Sequence, residues 1–246
     1  MGALNWIRKA VRSTGFDVIT YRPARSKDYA LQKFLHGYRI NLLLDVGANE
    51  GQFAQATFAA GYNGRILSFE PISTIHQKLS ANAATNPRWQ VHAPVALGAE
   101  PGELEINVSG FSPSSSLLPM TETHLNADPS TAYVRKEKVA IRRLDDCIET
   151  ELDTPEQRIF LKLDVQGFEA QALQGAPRTL AQALGVLMEV SFAELYQGQE
   201  LFLEACQRMQ NAGFSVFGLY PEFSNPQTGQ LLTADALFYR PGNPYR

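Results

Sequence analysis

The chain has 246 residues, of which 44% are hydrophobic and 19% charged, the composition of a soluble globular unit with a sizeable core. Its formal net charge of -3 leaves no global positive field for gathering phosphates, so a protein that coats nucleic acid is excluded. Two cysteines, Cys147 and Cys206, supply neither a disulfide framework nor a thiolate zinc site. No apolar run approaches the roughly 20 residues that span a bilayer, and no signal-peptide block is visible, so a cytoplasmic protein is expected.

Residues 1–38 read as an N-terminal helical extension, and 39–246 as the principal domain. Leu4, Ile7 and Val11 recur near helical spacing, with Arg8, Lys9 and Arg12 between them. Such a basic amphipathic helix either docks on its own domain or makes weak contact with a membrane surface. From Ile40 onward, short apolar runs end in Gly, Asp, Glu or Pro and alternate with helical stretches, which predicts a parallel sheet with crossover helices. The runs are Asn41–Leu44, Arg65–Phe69, Trp89–Val95, Ile159–Leu163 and Gly185–Glu189. Segments Glu103–Val108 and Val139–Ile141 read as an inserted hairpin or lid, and the Ser-, Pro- and Thr-rich 109–130 stretch as a mobile loop. A helix is predicted over Glu200–Ala212, capped by Gly213. Phe214–Tyr220 and Leu231–Tyr239 are separated by turn residues, which predicts an antiparallel hairpin at the end of the sheet.

In open α/β sheets, ligands bind beyond the carboxyl ends of the strands, so the residues ending each run carry most weight. The first run leads into Asp45-Val46-Gly47-Ala48-Asn49-Glu50-Gly51. This is not the dinucleotide fingerprint: the glycines are four apart and an acid precedes them. An acid there suits a ligand with a sulfonium and an ammonium better than a pyrophosphate. The second run ends at Glu70, an acid able to accept hydrogen bonds from both hydroxyls of a ribose. The pair favours adenosylmethionine over NAD.

These residues, with Phe69-Glu70-Pro71, Ala96-Leu97-Gly98, Arg143-Leu144-Asp145-Asp146, Leu161-Lys162-Leu163-Asp164-Val165-Gln166-Gly167-Phe168-Glu169 and Leu173-Gln174-Gly175-Ala176, resemble the FkbM-type methyltransferases. The blocks run in family order over about residues 40 to 220. The resemblance implies a Rossmann-like, doubly wound seven-stranded sheet, S-adenosylmethionine as cofactor, and methyl transfer to a hydroxyl of a sugar, glycolipid, polysaccharide or secondary metabolite. It implies cofactor contacts from Asp45, Gly47, Asn49, Gly51, Glu70, Pro71, Ile72, Ala96 and Asp164. Gln166 stands where the family often has Glu.

An alcohol is a weak nucleophile until its proton is taken. Asp164 is the leading base and Glu169 the second, with Glu189 and His124 also weighed; His124 reads as a solvated loop residue. Lys162, two residues before Asp164, shares its face and is expected to pair with an acid. Asp164 and Glu189 could supply two oxygens to a divalent metal, but no dependable third ligand is visible and none is predicted. The acceptor is expected among residues of the 109–130 loop and near Tyr220, Glu222 and Phe223, with Tyr133, Tyr196 and Tyr220 available to stack on a sugar. Nucleobase or amide methylation is disfavoured, because no Pro-Pro-aromatic tetrad follows Asp164 and Asn243-Pro244-Tyr245 comes only at the C-terminus; no nucleic-acid partner is expected. The competing functions are a non-catalytic cofactor-binding module of glycan biosynthesis and an NAD-dependent oxidoreductase. The sequence does not specify an oligomeric state.

Overall fold

The computed structural model describes residues 2–16 and 26–242, with side chains from Trp6 onward. Residues 17–25 of the expected N-terminal extension, and the Asn243-Pro244-Tyr245 tripeptide, lie outside the described residues. Helix α1 spans Gly2–Arg12 and α2 spans Lys27–Gly37. Strands β1 (Leu42–Val46), β2 (Arg65–Phe69) and β3 (Trp89–Val91) alternate with helices α3 (Gln52–Ala59) and α4 (Ser73–Ala83). After an inserted region come β7 (Ile159–Leu163), helices α8 (Glu169–Gln174) and α9 (Pro177–Gln182), β8 (Ala183–Ser191), α10 (Phe202–Asn211), β9 (Ser215–Ser224) and β10 (Leu231–Tyr239).

The main sheet has seven strands in the order β3-β2-β1-β7-β8-β10-β9. All neighbours are parallel except β10, which runs antiparallel to both β8 and β9. The fold is therefore the doubly wound, mostly parallel seven-stranded sheet that the sequence predicts. Continuous apolar runs make sense here, because successive residues of a strand feed opposite layers. Leu42, Leu44, Ile159, Leu161 and Leu163 pack with Leu173, Ala205 and Met209 on one face. Leu43 and Phe160 pack with Ala30, Leu31, Phe34, Ala54 and Leu79 on the other, so α2 is part of this layer. Phe34 is fully buried, and its ring fills the space a side chain at Gly185 would need.

Three expectations are corrected. The run 89–95 does not make one strand. It stops at Val91, passes Pro94, which has no N–H to donate, and resumes as β4 (Ala96–Leu97) in a second sheet. The insert is not a simple hairpin, for β5 (Gly102–Ser109) and β6 (Tyr133–Arg142) pair antiparallel and β4 joins β6 to give the order β4-β6-β5. Finally, the 109–130 stretch is a built segment. It contains a 3-10 turn at Ser112–Ser114 and helix α5 (Glu122–Ala127), and Ser115, Ser116 and His124 are buried in it. Polar composition disguised this segment because its serines spend their hydroxyls internally: Ser115 Oγ accepts from Ser109 N–H, and Ser116 Oγ donates to the Gln166 carbonyl at 2.6 Å.

Around the insert, helices α6 (Leu144–Cys147) and α7 (Glu149–Leu152) lead back into β7. Asp145 accepts the N–H groups of Arg178 and Thr179 at 2.8 and 2.9 Å and thereby caps α9. Gly213, at φ +85°, ends α10 as the sequence predicts.

Candidate active site

The strand tips of β1, β2 and β7 meet the insert around a cleft of about 660 Å³, part of it open to solvent. Gly47, Asn49, Glu70, Pro71, Ile72, Ala96 and Asp164 all line it, together with Val95, Leu97, Ser112, Leu117 and Phe168. One end is apolar, from Ile72, Val95, Ala96, Leu97 and Phe168; the other carries Gly47, Asp164 and Gln166.

The loop after β1 is shaped by backbone constraints. Gly47 has φ +72°, and a Cβ on it would lie 1.8 Å from the Asp164 carbonyl oxygen, so only glycine lets the tips of β1 and β7 approach this closely. Asn49 also sits in the left-handed region, at φ +49°, which asparagine tolerates better than most residues. Its N–H donates to Glu70 at 3.0 Å and its side-chain amide donates to Ser112 at 3.1 Å, tying the loop to both β2 and the insert.

Glu70 accepts a second N–H, from Ile72, at 2.9 Å. Burial raises its pKa to about 7, against the opposing pull of these two N–H groups. Two of the carboxylate's four acceptor positions remain for a ligand diol. The cleft thus combines apolar side chains, a carboxylate with acceptor positions to spare and a second carboxylate near a glycine-lined approach, a donor and acceptor set that fits S-adenosylmethionine.

Two of the residues expected at the cofactor, Asp45 and Gly51, and the second candidate base, Glu169, do not line the cleft. Asp45 is fully buried beneath it: Ser68 Oγ donates to one oxygen at 3.1 Å, and Lys162 Nζ lies 3.2 Å from the other. Because β1 and β7 are in register at Asp45 and Lys162, the two side chains emerge on the same face of the sheet. Gly51, at φ +95°, opens α3 under the Trp89 indole rather than toward a ligand. Glu169 turns back into its own turn and accepts the Val165 N–H at 2.9 Å; burial raises its pKa to about 7.

A second hollow adjoins the first, and Asp164 and Gln166 line both. It encloses about 1040 Å³, also open in part, between Phe111, Pro113 and His124 of the insert, Glu189 on β8, and Glu222, Phe223, Thr233 and Asp235 on β9 and β10. Glu222 and Phe223 were expected there; Tyr220 is not among its lining residues. Tyr196 is buried, and its hydroxyl donates to Gln166 Oε1 at 2.7 Å. That contact fixes the amide, leaving Gln166 Nε2 to donate to Asp164 at 2.7 Å and Glu189 at 3.2 Å. Burial, and then the carboxylates of Asp164, Glu169 and Asp235, raise the Glu189 pKa well above its ordinary value.

His124 is not a solvated loop residue: it is 4% exposed, edge-on to Tyr196, and burial lowers its pKa. Lys27, Thr233 and Asp235 were missed by the sequence reading. Asp235 alone left a signal, a charge in the middle of an apolar strand. Lys27 reaches the hollow from the start of α2 and pairs with both Glu222 and Asp235, the latter at 2.6 Å. Among the described residues, no three His, Cys, Asp or Glu side chains are grouped as a metal would require.

The Methyltransferase FkbM domain matches residues 45–216. The chain is 26% identical over 165 residues to the 2-O-methyltransferase NoeI of Sinorhizobium fredii, an alignment covering 64% of this chain and 66% of that relative. Solved structures of similar architecture include the magnesium protoporphyrin IX methyltransferase of Synechocystis with bound SAM, at TM-score 0.46 and 11% identity over 98% of both chains. Another is a putative RNA methyltransferase from Pyrococcus horikoshii, at TM-score 0.45 and 8% identity over 98% of this chain and 97% of that one. With the family match spanning well over half its length, the chain belongs to the FkbM methyltransferases, and its domain is an S-adenosylmethionine-dependent methyltransferase domain.

Proposed function

We propose that the protein is an O-methyltransferase whose acceptor is a hydroxyl of a sugar-containing molecule. The observation that carries this reading is the meeting of the cofactor cleft and the polar hollow at a shared wall, Asp164 and Gln166. A polyol suits the hollow: Asp164, Glu189, Glu222 and Asp235 offer acceptors for its hydroxyls, and Phe111 and Phe223 offer apolar faces. The relative named a 2-O-methyltransferase supports an oxygen acceptor.

In the cleft, Glu70 would hold the ribose, Ile72 and Ala96 the adenine, and Gly47, Asn49 and Asp164 the methionine end. Bound there, S-adenosylmethionine supplies a methyl group on a sulfonium, already a good leaving group. The protein's part is then to align the acceptor oxygen and to take its proton as the new bond forms. Supporting Asp164 in both roles, its side chain is 44% exposed at the junction and one oxygen is held by Gln166. Glu189, held by the same amide, adds a second acceptor for the polyol's hydroxyls at the junction. Asp45 and Glu169 act beneath the site, on the loops that carry Gly47 and Asp164.

The test is calorimetric titration with S-adenosylmethionine, its demethylated product and NAD, followed by transfer of labelled methyl to a panel of saccharides. Saturable binding of the first two without NAD binding is expected, with label on a hydroxyl oxygen. Asp164→Asn is expected to keep cofactor binding and to slow transfer about 10²–10⁴-fold, the range for a lost general base. An unaltered rate would remove Asp164 from that role. Binding without transfer to any hydroxyl would favour a non-catalytic module.

A further inference from the structure

We infer that helix α1 is a docking element for an anionic lipid surface. The first 25 residues contain five of the 22 Lys and Arg, yet only one of the 25 acids, Asp17. They therefore carry a formal +4, and the remaining chain -7. An anionic surface would repel the body of the protein and attract this end of it, so the charge distribution sets both the partner and the orientation.

The helix has the matching shape. At a repeat of about 3.6 residues, Trp6, Ile7, Ala10 and Val11 fall on one side and Arg8, Lys9 and Arg12 on the other. The apolar side is not spent on the protein core: Trp6 is 72% and Ile7 45% exposed, and Phe16, just past the helix, is 73% exposed. A docked helix would bury these side chains, whereas an interfacial one places tryptophan and phenylalanine at the headgroup boundary, with the cations against lipid phosphates. No described helix is long and apolar enough to cross a bilayer, so the contact is with the surface. An acidic protein groove would satisfy the cations equally. It would not account for a single-sided array of small and aromatic apolar residues beside a body of opposite charge as simply as a lipid surface does.

This inference does not depend on the methyl-transfer reading, and its test uses no acceptor. The full chain has two tryptophans, and the other, Trp89, is 5% exposed, so a change in emission on adding vesicles reports Trp6. Vesicles of phosphatidylcholine with added phosphatidylglycerol are expected to sediment the protein and shift its emission to the blue. Phosphatidylcholine alone is expected to bind it far less, and raised salt to release it. Replacing Arg8, Lys9 and Arg12 together by Glu is expected to lower vesicle partitioning about tenfold or more. Calorimetric binding of the demethylated cofactor should be unchanged in that variant, showing that it folds. Equal binding to both vesicle types, unaltered binding by the triple variant, or absence of binding would overturn the inference. So would a blue shift that tracks protein concentration without vesicles, which would indicate contact between copies of the chain.

Discussion

Lys162 Nζ lies 3.2 Å from Asp45 Oδ1 and donates to the Gly47 carbonyl at 2.8 Å, so one buried ammonium holds both the strand and the loop that leaves it. Burial opposes the charge on Lys162, but the carboxylates of Asp45 and Asp164 outweigh it and the pKa is raised. Lys162→Met, which strands a fully buried carboxylate, is expected to destabilise the protein by about 3–5 kcal/mol in urea unfolding. Adding Asp45→Asn should recover much of that loss. A double variant no more stable than the single one would show that the two side chains do not act as a pair.

With Glu70 at the ribose, as proposed, cofactor affinity is expected to depend on pH. Its folded pKa of about 7 lies above the ordinary value of 4.5, because burial disfavours the charge. Across that window the folded chain holds a proton that the unfolded chain has released. The group's contribution to stability therefore falls as pH rises from the lower value to the upper, then levels off. Binding follows the opposite trend, since the ionised carboxylate is the better acceptor for a diol. Affinity for the demethylated cofactor is expected to strengthen as pH rises through about 7. Glu70→Gln should flatten that dependence and weaken binding about tenfold or more, the worth of a charged hydrogen bond. A pH profile unaltered by the substitution would place the diol elsewhere.

Gly47→Ala tests the close approach of β1 and β7. The new methyl would meet the Asp164 carbonyl at 1.8 Å and would also strain a backbone at φ +72°. Gly61 is a natural control, with φ +95° and nothing within 4 Å of an added Cβ. Gly61→Ala is expected to cost about 1–2 kcal/mol, from backbone strain alone. Gly47→Ala should cost more in thermal or urea unfolding and should abolish cofactor binding. Equal losses would mean that the loop simply moves aside.

Much of this architecture is legible before any coordinates. Leu42 to Leu44 and Ile159 to Leu161 are apolar without alternation, as a strand covered on both faces requires, and Gly213 marks the end of α10. What is not legible has a physical pattern. Ser115 and Ser116 read as loop residues because side-chain-to-backbone bonding leaves no periodicity. Asp45 reads as a ligand contact because a strand-tip acid looks the same whether it faces the cleft or, as here, a lysine one strand away. Lys27 reads as nothing at all, since its partners Glu222 and Asp235 are about 200 residues away in the chain.

That distant contact is itself testable. Burial acts to lower the Lys27 pKa, but Asp235 and Glu222 outweigh it, and the result is a raised value. Asp235, raised to about 6 by burial despite Lys27, would be raised further without it. The pair is partly open to solvent, so Lys27→Ala should cost only about 1 kcal/mol of stability. Its larger expected effect is on the acceptor: an increased KM for the saccharide, with the affinity for the demethylated cofactor unchanged. A variant that weakened both equally would place Lys27 in the general stability of the fold.

The placement of β10 between β8 and β9 makes the two hollows unequal in how they are held. Residues 46 to 168 suffice to line the cofactor cleft, but the hollow beside it is closed by Lys27 from one end of the chain and by Glu222, Thr233 and Asp235 from the other. Because β9 pairs only with β10 among the described residues, and β10 alone joins that hairpin to β8, this wall of the hollow hangs on a single strand contact. Loosening the β8–β10 contact should therefore disturb the hollow and leave the cleft formed by residues 46 to 168 unchanged.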